Sequence, residues 1–163
     1  MDISIRKASL EDAQSIQKLA KDIWPAAYGS ILSKEQLEYM LDKYYSTDVL
    51  SKQIHDHHFF YLAFYNQSPV GFASLSMIEE NKCKLHKLYV LPSIQKTGLG
   101  KQLLEKTEIT AKEMGAKTLQ LNVNRNNSAR LFYERNDFSI IREEDIDIGN
   151  GFFMNDYVME KKL

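Results

Sequence analysis

The chain has 163 residues, a formal net charge of −1 and a single cysteine, and 44% of it is hydrophobic. That length supports one domain with a substantial core, the interspersed charges exclude a nucleic-acid footprint or polybasic membrane patch, and lone Cys83 excludes an internal disulfide or multi-thiol metal site. No apolar stretch approaches the roughly 20 residues of a membrane span and Met1–Arg6 has no signal-peptide apolar region, so a cytoplasmic location is expected.

Ile3 and Ile5 alternate with polar neighbours and predict a short strand up to about Ala8. Ser9-Leu10-Glu11-Asp12 reads as an N-cap with acids in the first turn, and Ile16, Leu19, Ala20 and Ile23 then follow helical spacing until Pro25 breaks the helix. Ser33-Lys34-Glu35-Gln36 reads as a capping box opening a second helix through Leu37, Met40, Leu41 and Tyr44. Phe59 to Tyr65 and Val70 to Met77 are strand-like runs joined by the hairpin signal Asn66-Gln67-Ser68-Pro69. Glu79-Glu80-Asn81-Lys82 turns the chain into the run Leu85 to Val90, which ends at Pro92. Leu103, Leu104, Ala111 and Met114 predict a helix that stops at Gly115. A strand over Thr118 to Val123 and a helix through Ala129, Leu131 and Phe132, capped by Asn127 or Ser128, come next. Phe138 to Ile148 and Phe152 to Met159 flank the turn Gly149-Asn150-Gly151. The expected order is therefore β, two helices, three strands, helix, strand, helix and two strands, a single α/β domain over residues 1–163 with a mixed sheet.

The stretch Gln95-Lys96-Thr97-Gly98-Leu99-Gly100 joins a strand to an amphipathic helix. Backbone N–H groups at a helix start have no intrahelical partner and sit at the positive end of the dipole, and glycines there admit phosphate without Cβ contact. A diphosphate ligand is the chemistry this predicts. Neither G-x-x-x-x-G-K-[ST] nor G-x-G-x-x-G is present.

The pattern Q-x-x-G-x-G after a strand resembles motif A of the GNAT superfamily of N-acetyltransferases, which holds the pyrophosphate of acetyl-coenzyme A. The segment Asn126-Asn127-Ser128-Ala129-Arg130-Leu131-Phe132-Tyr133, followed by Phe138, resembles a second segment of that family, N-x-x-A-x-x-[LF]-Y. The element order agrees as well, so the resemblance covers nearly the whole chain. Asp137 stands where the family usually has Gly, and Asn136-Asp137 is expected to turn the helix end in its place, since both residue types tolerate positive φ. The resemblance implies a mixed central sheet of about seven strands flanked by about four helices. It also implies acetyl-coenzyme A as acyl-donor co-substrate without a metal, a small-molecule amine as partner, and no nucleic acid or membrane. A homodimer is compatible with it.

The resemblance assigns residues as follows. The backbone of Leu88, Tyr89 and Val90 holds the pantetheine arm, and the N–H near Leu88 stabilises the oxyanion. Gln95 and the amides through Lys96, Thr97, Gly98, Leu99, Gly100 and Lys101 hold phosphate, with Lys96 and Lys101 neutralising charge, and Asn126 bonds the cofactor. Tyr133 protonates the leaving thiolate as general acid, although a tyrosine beside Phe132 on a helix is ordinarily a packing residue. His86, on one strand face with Leu88 and Val90 by alternation, is the candidate base, with Glu79, Glu80 and ordered water as alternatives; a strand histidine is more often structural. Trp24 and Tyr28, flanking Pro25, are the candidate acceptor pocket, and Glu35, Glu38 and Asp42 are the acids that would attract a cation there. His55-Asp56-His57-His58 reads as a solvated turn rather than a metal cluster. The layout is similar to polyamine and diamine acetyltransferases somewhat more than to peptide N-terminal ones. Acetylation of a protein N-terminus or lysine, and a non-catalytic acyl-coenzyme A sensor, are the alternatives.

Overall fold

The computed structural model describes residues 2–163. The strands are β1 (Ile3–Lys7), β2 (Phe59–Tyr65), β3 (Ser68–Glu79), β4 (Lys82–Val90), β5 (Thr118–Asn124), β6 (Ser139–Gly149) and β7 (Phe152–Lys162), and the helices α1 (Ala13–Tyr28), α2 (Lys34–Tyr45), α3 (Thr47–His55), α4 (Leu99–Glu113) and α5 (Ala129–Arg135). The strands form one seven-stranded sheet in the order β1-β2-β3-β4-β5-β7-β6. One face buries α1, α2 and α3 through Ile16, Ile23, Met40 and Leu50 against Phe60, Leu62, Phe72 and Met154. The other buries α4 through Leu99, Leu103, Leu104 and Ala111 against Leu75, Leu85, Leu119 and Leu121.

Three expectations are corrected. Pro25 does not break α1, which continues to Tyr28. Pro25 and Lys21 both lie on the exposed side, where the carbonyl that loses its donor can be hydrated, while Ile23, Trp24 and Tyr28 keep the buried stripe intact. The two helices expected before β2 are three, which brings the total to five. Ser46 Oγ accepts the Val49 N–H at 3.2 Å and starts α3, which Leu50 anchors in the core. At α2 only half of the capping box forms. Ser33 Oγ accepts the Gln36 N–H at 3.1 Å, but the Gln36 amide donates to the Phe153 carbonyl at 2.7 Å instead, tying α2 to β7.

β4 and β5 are the parallel pair, and their register runs only from Lys82↔Thr118 to Leu85↔Leu121. Beyond Leu85 the two strands part. β4 stays paired to β3 on its other side, but with an irregularity: Ser74 faces Lys87 and Leu75 faces Leu85, so His86 is the extra residue of a bulge.

Candidate active site

The parted ends of β4 and β5 open a groove of about 720 Å³, closed by the C-terminal turn of α1 and by α5. Leu91 N–H donates to the Val70 carbonyl at 2.8 Å. Alternation along an antiparallel strand then turns the backbone groups of Leu88 and Val90 away from β3, toward the gap. A row of unpaired backbone donors and acceptors therefore lines one wall.

At one end of the groove stands the start of α4. Gly98 has φ +86° and ψ 0°, the left-handed conformation that lets the loop enter the helix. A Cβ built at Gly98 meets nothing within 4 Å, and one at Gly100 meets only the Phe132 ring at 3.9 Å. The space both glycines leave is open to the groove and faced by the first amides of α4, an arrangement suited to a phosphate anion. Gln95, Lys96, Gly98, Gly100 and Lys101 line it. Thr97 turns its hydroxyl back to the Ile94 carbonyl at 2.6 Å, and the Leu99 side chain is buried in the core.

The other end is aromatic and polar. Tyr28 and Tyr89 share a hydrogen bond between hydroxyls at 2.9 Å, and Tyr133 lines the same end. Tyr133 packs edge-on to Phe132 and Phe138 at 5.3 and 5.6 Å between centroids. Burial, helped by Tyr28, raises its pKa well above the ordinary phenol value, so it stays protonated and able to donate. Asn127, not Asn126, lines the groove. The Asn127 side chain accepts the Ala129 N–H at 2.9 Å and caps α5, while Asn126 is held by its N–H to Asn124 Oδ1 at 2.9 Å. Asp137 takes φ +73°, as its place at the helix end requires.

Trp24 does not line the groove. It is 4% exposed and packs against Tyr28, Tyr45 and Tyr89 with centroids 4.6, 5.3 and 5.8 Å away, supporting the wall from behind. Trp24→Ala is accordingly expected to cost about 3–5 kcal/mol of stability, the range for truncating a buried aromatic. Denaturant unfolding checks this, and an undiminished midpoint would return Trp24 to the ligand side.

The bulge changes the reading of His86. Alternation placed it with Leu88 and Val90, which pack on the α4 face. A bulge breaks the two-residue period, and His86 instead meets Ser76 Oγ at 2.7 Å and stacks on His58 at 4.9 Å. Lys87, the next residue, is buried with its Nζ donating to Gln53 Oε1 at 3.1 Å and lying 5.4 Å from the centre of the Tyr45 ring. Burial, with His58, Lys87 and Lys84 nearby, pushes the His86 imidazole down to about 3. It is therefore neutral at physiological pH and a weak proton acceptor.

The same shift predicts a stability effect. An unfolded chain protonates this imidazole below about pH 6.5, whereas the folded one resists until about 3. Stability therefore falls as pH drops through that window, by up to about 1.4 kcal/mol per unit. His86→Gln keeps a partner for Ser76 and should flatten this part of a plot of melting temperature against pH. An unchanged slope would show that the folded ring accepts a proton.

One functional candidate escaped the sequence reading. Asp156 on β7 is 6% exposed, with Oδ2 accepting from Asn122 Nδ2 at 3.3 Å and Oδ1 buried without a partner. The readable signal was phase: Met154, Asp156 and Val158 are the inward positions of an alternating strand. The Glu79 and Glu80 alternatives sit at the far end of β3 and in the turn after it, and neither lines the groove. Glu35, Glu38 and Asp42 are on α2 and do not line it either. Among the described residues no helix is long and apolar enough to cross a membrane.

A sequence profile of the acetyltransferase (GNAT) domain matches residues 30–161. The spermidine N(1)-acetyltransferase of Thermoplasma acidophilum is 33% identical over 168 aligned positions, spanning 99% of this chain and 98% of that protein. The [ribosomal protein bS18]-alanine N-acetyltransferase of Haemophilus influenzae is 34% identical, over 54% of this chain and 56% of its own length. The crystal structure of the PaiA N-acetyltransferase of T. acidophilum in complex with coenzyme A superimposes with a TM-score of 0.86 at 32% identity, covering 100% of both chains. The seven-stranded mixed sheet with its flanking helices is the fold of these neighbours.

Proposed function

This chain belongs to the GNAT family of N-acetyltransferases, and from that premise we propose that it transfers the acetyl group of acetyl-coenzyme A to a primary amino group of a small polyamine. The observation that carries the reading is the groove itself. It runs from an anion-ready helix start at Gly98 and Gly100 to an enclosed end built by Tyr28, Tyr89 and Tyr133. A pyrophosphate suits the first end, and the slender cation of a polyamine suits the second better than a folded polypeptide does. The likeness to a spermidine acetyltransferase along almost the full length supports the same acceptor class.

Acetyl-coenzyme A supplies an activated thioester. The amides of Gly98 to Lys101 would hold its pyrophosphate, and the backbone of Leu88 and Val90 its extended arm. The Leu88 N–H is the donor placed to stabilise developing negative charge on a carbonyl oxygen, and Tyr133 is the donor for the departing sulfur, whose parent thiol has a pKa of roughly 8.5. His86 supplies no strong base, being neutral and already bonded to Ser76.

Thiol release from acetyl-coenzyme A in the presence of spermidine, compared with an alanine-initiated peptide, tests the acceptor. Preference for the peptide would move the reading to protein N-terminal acetylation. Coenzyme A binding without turnover of either would make the chain a sensor.

A further inference from the structure

A buried carboxylate with one oxygen lacking any partner is costly, because desolvation penalises its charge and a missing hydrogen bond is not replaced by water. Asp156 is such a group, with Asn122 its one side-chain donor. Asn122 itself lines the groove, so a single amide separates the carboxylate from the groove's enclosed end. In register, Asp156 lies opposite Asn124 on β5 and Glu144 on β6. Tyr28 of α1 and Tyr44 of α2 feel its charge from the helix side. The remaining charges near it are Lys84 on β4 and Arg125 after β5, both favouring its ionised form, and Glu144 opposing it. Arg125 is engaged elsewhere, pairing with Asp145 and Glu143, and Glu144 is paired with Arg142 at 2.7 Å.

We propose that Asp156 is the carboxylate that draws the acceptor's ammonium group to the enclosed end of the groove and takes its proton, with Asn122 as the movable cover. The assignment rests on the acetyl-transfer reading above. An alkylammonium has a pKa of roughly 10 and cannot attack until it loses a proton, and no acidic side chain lines the groove itself, which leaves Asp156, bonded to the lining residue Asn122, as the carboxylate next to it. Burial already raises the pKa of Asp156 from its ordinary value, which makes it a better proton acceptor than an exposed Asp. The protons balance. The C–N bond forms as the C–S bond breaks. Of the ammonium's three protons, one stays on the amide nitrogen and one passes to Asp156 and on to water. The third replaces the proton that Tyr133 gives to sulfur.

The test is the pH profile of acetyl transfer to spermidine by the parent and by Asp156→Asn, which keeps the shape and can still accept from Asn122. The variant should lose about 10²-fold in kcat/KM near pH 7, the lower end for lost acid–base catalysis. The loss should shrink as pH approaches 10, where the amine arrives already neutral, while coenzyme A affinity stays at the parent value. An equal loss at every pH, or none, with coenzyme A binding intact, overturns the assignment and leaves the acetyltransferase reading standing. A parent that does not acetylate spermidine overturns the acceptor reading and this assignment with it. Should the variant fail to fold, carbon-detected NMR of the parent decides. The Asp156 carboxyl titration should shift to lower pH when spermidine is added, and a titration that does not move overturns the proposal.

Discussion

Replacing Gly100 by Leu is expected to weaken coenzyme A binding by about 10³-fold while making the protein slightly more stable. Gly100 is the second residue of α4, in helical conformation, and its missing Cβ would meet only the edge of the Phe132 ring at 3.9 Å. Leu therefore fits the backbone and gains roughly 0.8–1 kcal/mol of helix propensity over Gly. Its side chain fills the groove where the α4 amides face outward. Losing two charge-assisted hydrogen bonds at about 1.5–3 kcal/mol each gives a thousandfold loss at about 1.4 kcal/mol per factor of ten. The equivalent change at Gly98 is less clean, because φ +86° strains any side chain whatever the ligand does. Calorimetric titration of coenzyme A together with a thermal melt reads both quantities. Unweakened binding would show that the pyrophosphate lies elsewhere.

Tyr133→Phe is expected to lower kcat by about 10²–10⁴, the range for removing a positioned acid, with coenzyme A affinity and stability close to the parent. The ring keeps its packing against Phe132 and Phe138, so only the hydroxyl at the enclosed end of the groove is lost. Because burial holds the phenol in its protonated form, no alkaline limb from Tyr133 should appear below about pH 10. Single-turnover kinetics with acetyl-coenzyme A and spermidine separates chemistry from binding. Parent-like turnover would assign sulfur protonation to water.

Much of this architecture was legible in the sequence because the deciding signals are local. The turn from β4 into α4 shows in Gln95 to Gly100, the β6–β7 hairpin in Gly149-Asn150-Gly151, and the end of α5 in Asn136-Asp137, where Asp137 takes the positive φ. What stayed hidden depends on partners distant in the chain. Pro25 continues a helix because its exposed side faces water, and only the tertiary position of α1 decides that. α3 is nine residues long, and Leu50 is the one residue it fully buries, too few to mark a helical face by spacing. The bulge at His86 is a mismatch between two strands, invisible in either alone; His86 still lines the groove, but its ring bonds Ser76 and stacks on His58 out of step with Leu88 and Val90. Asn126 and Asn127 are indistinguishable by composition, and a cap bond to Ala129 chose between them. Nothing local distinguishes Asp156 from the other acids of the β6–β7 hairpin; pairing with β5 puts it beside Asn122.

The short pairing between β4 and β5 reaches beyond the groove it opens. Four register positions are all that join the β1–β4 half of the sheet to the β5–β7 half, so this line is where the sheet has the fewest rungs to hold it during local opening. A ligand whose arm bonds the free edge of Leu88 and Val90 adds rungs at that seam. It then acts as part of the sheet, coupling the two halves, and at a hundred times its Kd it adds about 2.7 kcal/mol to global stability. Amide exchange at Leu88 and Val90, which lie beyond the β4–β5 register, is consequently the local gauge of how firmly such an arm is held at the seam.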